Sequence, residues 1–186
     1  DNANYDDYRN CDVQNYVLAV EELAERGYFV FRMGAKVNSP MNCSHPNVID
    51  YAANGMRSDF MDIYLGANCT FCISSGTGFD GIPQIFRRPI AFVNFSPVGY
   101  CFTFSNRFLG IFKHHFSTKS DQNLSLREIL TIGVGLSIHT SDYDSKDIRL
   151  IENTPEEIGD LVIEMDERLN GTWQSYEGDE LLQNAN

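Results

Sequence analysis

The residues best suited to chemistry lie in one run, Ile73-Ser74-Ser75-Gly76-Thr77-Gly78-Phe79-Asp80-Gly81. Its glycines let the backbone turn tightly and approach a ligand closely. Ser74, Ser75 and Thr77 supply hydroxyl donors. A helix expected from Phe79 would add free N–H groups and the positive end of its dipole, a combination that suits a phosphate. The run also suits a plain strand–helix connection. It is neither the Gly-Lys-Ser/Thr phosphate loop nor the GxGxxG dinucleotide pattern. Arg32, followed by Met33 and Gly34, closes an expected strand. A guanidinium there can fork onto a phosphate or form an ordinary surface ion pair. Arg57 and Asp59 flank Ser58 at the start of another helix, and Asp80 falls in the first turn of the next. Both acids also fit simple complementation of a helix dipole.

Other reactive side chains point elsewhere. His114 and His115 fit acid–base work or a structural place in an aromatic segment. The five cysteines, Cys11, Cys43, Cys69, Cys72 and Cys101, are an odd and scattered set, so free thiols are expected rather than a disulfide framework. Cys69 and Cys72 sit three apart at the start of a strand, where they point to opposite faces and share a metal poorly. Cys43 and His45 lack a second pair at fitting spacing. No metal site and no cofactor are therefore expected.

Charge narrows the partners. A net charge of −12 argues against a general nucleic-acid binder. The acids are unevenly spread: between Gly81 and Lys119 there is none, while Arg87, Arg88, Arg107, Lys113 and Lys119 all fall there. Such a zone can attract a diphosphate, or it can be an accident of an apolar segment. No stretch of about 18 apolar residues is present.

These candidates need elements to hold them. Val13, Tyr16, Val17, Val20, Leu23 and Ala24 recur at helical spacing, so a helix is expected from Val13 to Arg26, capped by Asp12 and ended by Gly27. Strands are expected at Tyr28–Arg32, Thr70–Ser74 and Ile90–Asn94, with shorter ones at Val48–Tyr51 and Ile148–Ile151. Helices are expected at Ser58–Ala67, Phe79–Phe86 and Ser125–Leu130. The last helix carries the fullest start signal: Thr154 as cap, Pro155 as first residue and Glu157 closing a capping box. Ile158, Leu161, Val162, Met165 and Leu169 form its apolar stripe, leaving its acids for water. The region from Gly99 to Phe116 is aromatic-rich and fits no single period. This alternation predicts an α/β, Rossmann-like three-layer domain with a mainly parallel sheet over residues 1–173 and a polar tail at 174–186. Ligands of such sheets bind beyond the carboxyl ends of the strands. That rule points at Gly34, at Ser74–Gly78 and at Asn94–Gly99.

Four blocks in order carry a resemblance: NxDVxNYxxAVExLxxxGYxVxRMG, RSDFxDIYLxANCxFxISSGTGxD, FRRPIAFVNFxP and IENTPEEIGDLVIEMxERLNGTW. Together they span Arg9 to Trp173. They resemble a family of bacterial glycosyltransferases, often encoded with surface-polysaccharide genes, that is similar at a distance to GT-B fucosyltransferases and heptosyltransferases. The resemblance implies the C-terminal, donor-binding half of a GT-B enzyme. In the family an N-terminal half and a strand precede the first block, so both are expected upstream of Asp1. The catalytic base often lies in that half, and no catalytic residue is assigned here. The implied partners are a nucleotide sugar as donor and a glycan or lipid-linked acceptor, with no nucleic acid. Transfer would be metal-independent and cytoplasmic, with peripheral membrane association through parts outside the chain. The implied donor-binding set is Arg32, Gly34, Arg57, Asp59, Ser74, Ser75, Gly76, Thr77, Gly78 and Asp80. A sugar-nucleotide epimerase-like enzyme and a non-catalytic sugar-nucleotide-binding module are the competing functions.

Overall fold

The structure is a computed structural model that describes residues 7–175 and residue 178. Its centre is a strand, β4 (Ile90–Phe95), buried along its whole length. A short, continuous apolar run is what a central parallel strand requires, since both of its faces are covered. β4 pairs in parallel with β3 (Cys72–Ser74) on one side and with β5 (Phe108–Phe112) on the other. The expected parallel pairing of Thr70–Ser74 with Ile90–Asn94 is therefore present.

Alternate residues of β4 serve two cores. Ala91 and Val93 meet Ala19 and Leu23 of α1 (Val17–Glu25), together with Ile158, Leu161, Val162 and Met165 of α6 (Pro155–Asn170). Ile90, Phe92 and Phe95 face an aromatic cluster with Phe102, Phe108 and Phe112. There Phe92 meets the Phe108 ring edge-on at 5.7 Å between centroids.

The helix starts follow their sequence signals. Thr154 accepts from the backbone N–H of Glu157, and Glu157 accepts in return from that of Thr154, closing the capping box of α6. Ser125 does the same with Glu128 ahead of α4 (Leu126–Ile132). The first helix is divided: Val13–Tyr16 is a 3-10 turn capped by Asp12, and α1 follows it. One acid of α6 departs from expectation. Asp166 is buried rather than turned to water, because the Tyr28 hydroxyl (2.6 Å), Arg26 Nη1 (3.0 Å) and Asn170 Nδ2 (2.8 Å) all donate to it. That hydrogen-bonding set offsets the cost of burying a carboxylate.

The expectation of one mainly parallel sheet needs correction. β1 (Val30–Phe31) pairs in parallel with β2 (Val48–Ile49) as a separate two-stranded ladder, not with β3. A third sheet is antiparallel: β6 (His114–Ser117) lies between β7 (Gln122–Asn123) and β8 (Ile148–Ile151). After β5 the chain reverses its pairing through His114–Ser117, a segment whose aromatic composition carries no directional signal. α2 (Asp59–Asn68) and α3 (Gly81–Ile85) pack together where Gly66 lies tight against Ile82 and Phe79. α5 (Thr140–Asp144) completes the helices, burying Tyr143. Among the described residues no helix is long and apolar enough to cross a membrane.

Candidate functional site

The carboxyl ends of β3, β4 and β5 lie side by side, and the turn Ser74–Gly78 leaves the first of them. Ser74 is buried at the last position of β3, and its hydroxyl donates to the Asp80 carboxylate. The same hydroxyl accepts from the backbone N–H of Gly76 at 3.1 Å. Gly76 takes φ +78, a left-handed value that favours glycine, and a Cβ there would stand 2.9 Å from Phe95 Cε2. Gly76→Val therefore disturbs the fold itself as well as any ligand approach. Thr77 precedes a 3-10 turn, Gly78–Asp80, that leads into α3.

Asp80 is more than a dipole partner, since it is only 3% exposed. Burial pushes its carboxyl up to about 6, against the lowering effects of hydrogen bonds from Ser74 and Thr77 and of the Arg9 charge. Its folded value thus lies above the ordinary value of about 3.9, so the fold favours the neutral acid. That contribution is complete below about pH 4 and is lost as pH rises through about 6. Asp80→Asn is expected to be more stable than the parent by up to about 3 kcal/mol at pH 8 and about equal to it at pH 4. Melting curves of both proteins across that range decide this, and a difference independent of pH contradicts it.

A segment remote in sequence closes over these strand ends. Arg9 Nη2 donates to the Gly76 carbonyl, 67 residues away. The Cys11 thiol donates to the Arg9 carbonyl at 3.4 Å, and burial pushes its pKa up, with the Lys113 charge opposing. Glu152, just after β8, accepts from the backbone N–H of Asp12 (3.0 Å) and from Asn15 Nδ2 (2.9 Å). Lys113, one residue past β5, donates from Nζ to the Asn10 carbonyl at 2.5 Å.

Beneath this segment two asparagines clamp β4 to the start of α6. The Asn94 backbone N–H donates to Asn153 Oδ1, and the Asn153 N–H returns the bond to Asn94 Oδ1, both at 2.6 Å. Asn94 stands at φ 54, beside the irregularity in the β4–β5 pairing. Its Nδ2 donates to the Tyr16 hydroxyl at 3.3 Å. A cleft of about 520 Å³ opens between β5, β6 and α6, with Lys113 and Asn153 in its wall and the His114–Glu157 pair (2.9 Å) beside them.

The sequence candidates fall into two groups. Ser74, Ser75, Gly76, Thr77, Gly78 and Asp80 share the β3 turn. Arg32, Gly34, Arg57 and Asp59 belong with the β1–β2 ladder and the start of α2. Arg32 is engaged there, bonding Asp50 Oδ2 at 3.1 Å and the Ser39 carbonyl at 2.7 Å. Its strand pairs with β2 rather than β3, and the structure does not bring its guanidinium to the Ser74–Gly78 turn. Gly34 packs against Val37 and Ala52. Arg57 pairs with Asp62 at 2.7 Å and approaches Asp59 at 3.6 Å, while the Asp59 side chain is 97% exposed.

The sequence candidates did not include Arg9, Cys11, Tyr16, Glu152 or Asn153, while Asn94 opened the strand-end stretch Asn94–Gly99 and Lys113 lay in the acid-free zone. Lys113 did carry a signal: it interrupts an apolar strand at the end where ligands of parallel sheets bind. The cysteines are free thiols as expected, with Cys101 exposed and the other four half-buried. Among the described residues no group of three or more His, Cys, Asp or Glu side chains could hold a metal ion. Comparison of the chain with protein-family models, with curated proteins and with solved structures finds no match.

Proposed function

We propose that the chain is the donor-binding part of a glycosyltransferase, a Rossmann-like unit of GT-B type that takes a nucleotide sugar in the cytoplasm. The acceptor would be a glycan or a lipid-linked molecule. The observation that carries the reading is the hydroxyl- and glycine-rich turn Ser74–Gly78, set at the carboxyl end of β3 beside β4 and β5. Ligands of open parallel sheets bind at such ends. The four sequence blocks support the same reading, since the second of them contains this turn.

Chemically, the turn offers the Ser75 hydroxyl to the diphosphate, those of Ser74 and Thr77 being bonded to Asp80, and Arg9 adds a cation over Gly76. Donors and cations of this kind stabilise the negative charge that develops on a departing diphosphate. The test is calorimetric titration of the chain with UDP-, GDP- and ADP-sugars, followed by product analysis with a labelled donor. Binding of one nucleotide class with transfer of the labelled sugar is expected. Conversion of the donor into an epimer would replace this reading with an epimerase. No binding of any of the three classes would remove it.

A further inference from the structure

Lys113 is the only buried Lys or Arg among the described residues, at 5% exposure. The paired arginines Arg26, Arg32, Arg57 and Arg168 each have a carboxylate within 4 Å. Lys113 has none among the described residues; its Nζ donates to a neutral carbonyl, that of Asn10. Glu152, whose field is felt at Cys11, spends its oxygens on Asp12 N–H and Asn15 Nδ2. An ammonium buried without a paired anion is costly, and an anionic ligand placed there offsets that cost.

Its position fits that role. The backbone N–H of Lys113 extends the β4–β5 ladder by donating to the Phe95 carbonyl at 3.3 Å, so the side chain leaves from the carboxyl edge of the sheet. β3, with its Ser74–Gly78 turn, stands two strand spacings away, about 9–10 Å. Between them the Cys11 thiol donates to the Arg9 carbonyl at 3.4 Å and lies in the Lys113 field. Arg9 repeats the pattern of Lys113, a cation resting on a carbonyl oxygen, here that of Gly76. The segment Arg9–Asp12 thus spans the site, bonded to the β3 turn, to Lys113 and to Glu152.

We propose that Lys113 and Arg9 form a two-cation subsite for the phosphoryl groups of the ligand, with the segment Arg9–Asp12 as its roof. Phosphoryl oxygens take the place of the Asn10 carbonyl on Lys113 and of the Gly76 carbonyl on Arg9. A charge-assisted bond replaces a charge–dipole one at each cation. The proposal rests on the donor reading above but names different residues, so the two can fail separately.

The experiment is titration of the chain with inorganic pyrophosphate and with UDP, GDP and ADP, comparing the parent with Lys113→Met, Lys113→Arg and Arg9→Met. For the ligands that the parent binds, Lys113→Met and Arg9→Met are each expected to weaken binding about ten- to a hundredfold. Lys113→Arg is expected to stay within about threefold of the parent, because it keeps the charge. The uncharged nucleoside should bind parent and variants alike. Equal affinities for parent and a folded Lys113→Met overturn the proposal. If melting shows that Lys113→Met does not fold, the exposed Arg9→Met decides, and unchanged affinity there overturns it. If no nucleoside diphosphate binds but pyrophosphate binds and is lost in both methionine variants, the donor reading falls and the subsite stands. If pyrophosphate and all three diphosphates fail to bind the parent, both fall.

Discussion

Met165→Asp is expected to lower the melting temperature by roughly 10 °C or more. Met165 is 2% exposed, in the cluster that joins α6 to α1 and to Ala91 and Val93 of β4. Truncating a buried Met costs about 2–5 kcal/mol, and the aspartate adds an unpaired charge to an apolar site. At least about 4 kcal/mol is expected in total, a large part of a domain stability on the order of 5–15 kcal/mol. Urea and thermal unfolding measure it. An unchanged midpoint would mean that α6 does not dock on the sheet, and the positions of Glu152, Asn153 and the strand ends would go with it.

The second large effect is expected at Asn153. Its side chain accepts from the Asn94 N–H at 2.6 Å and donates to the Phe112 carbonyl at 2.9 Å, so one residue fastens the ends of β4 and β5. Asn153→Ala strips both partners at a position only 2% exposed. Each buried backbone group left unsatisfied costs about 1–3 kcal/mol, so a loss of roughly 2–5 kcal/mol is expected. Asn94 would also lose support for its left-handed conformation, and the hydroxyl of Tyr16 would follow it. A loss under about 1 kcal/mol would mean that water replaces the clamp and that the strand ends hold themselves.

The parts legible in the sequence were those governed by local rules. The capping boxes of α4 and α6 rest on contacts three residues apart, and both formed. β4 and the Ser74–Gly78 turn follow from a short apolar run and from glycine chemistry. β5 stayed hidden because Phe108–Phe112 is apolar throughout, apart from Gly110, and a run of that kind has no period to read. The antiparallel sheet depends on His114–Ser117 meeting Ile148–Ile151, a pairing that leaves no trace in either segment alone.

The same distinction divides the site. Ser74 and Asp80 are six residues apart and fall in one sequence run. Arg9 and Gly76 are 67 apart, and Lys113 and Asn10 are 103 apart. Arg32 shows the reverse case. Its type and strand-end position fit a phosphate ligand, but Asp50, 18 residues on, already neutralises it. Arg32 forms the ion pair that its position allows, whereas Asp80 is buried against Ser74.

Amide-resolved NMR titration of the chain with UDP-, GDP- and ADP-sugars tests the central claim most directly, because it reports binding and place together. The account predicts saturable shifts centred on Ser75, Gly76, Thr77 and Gly78, with Lys113 moving at the same ligand concentrations. Shifts centred instead on Arg32, Gly34 and Arg57, or spectra unchanged by all three donor classes, would contradict it.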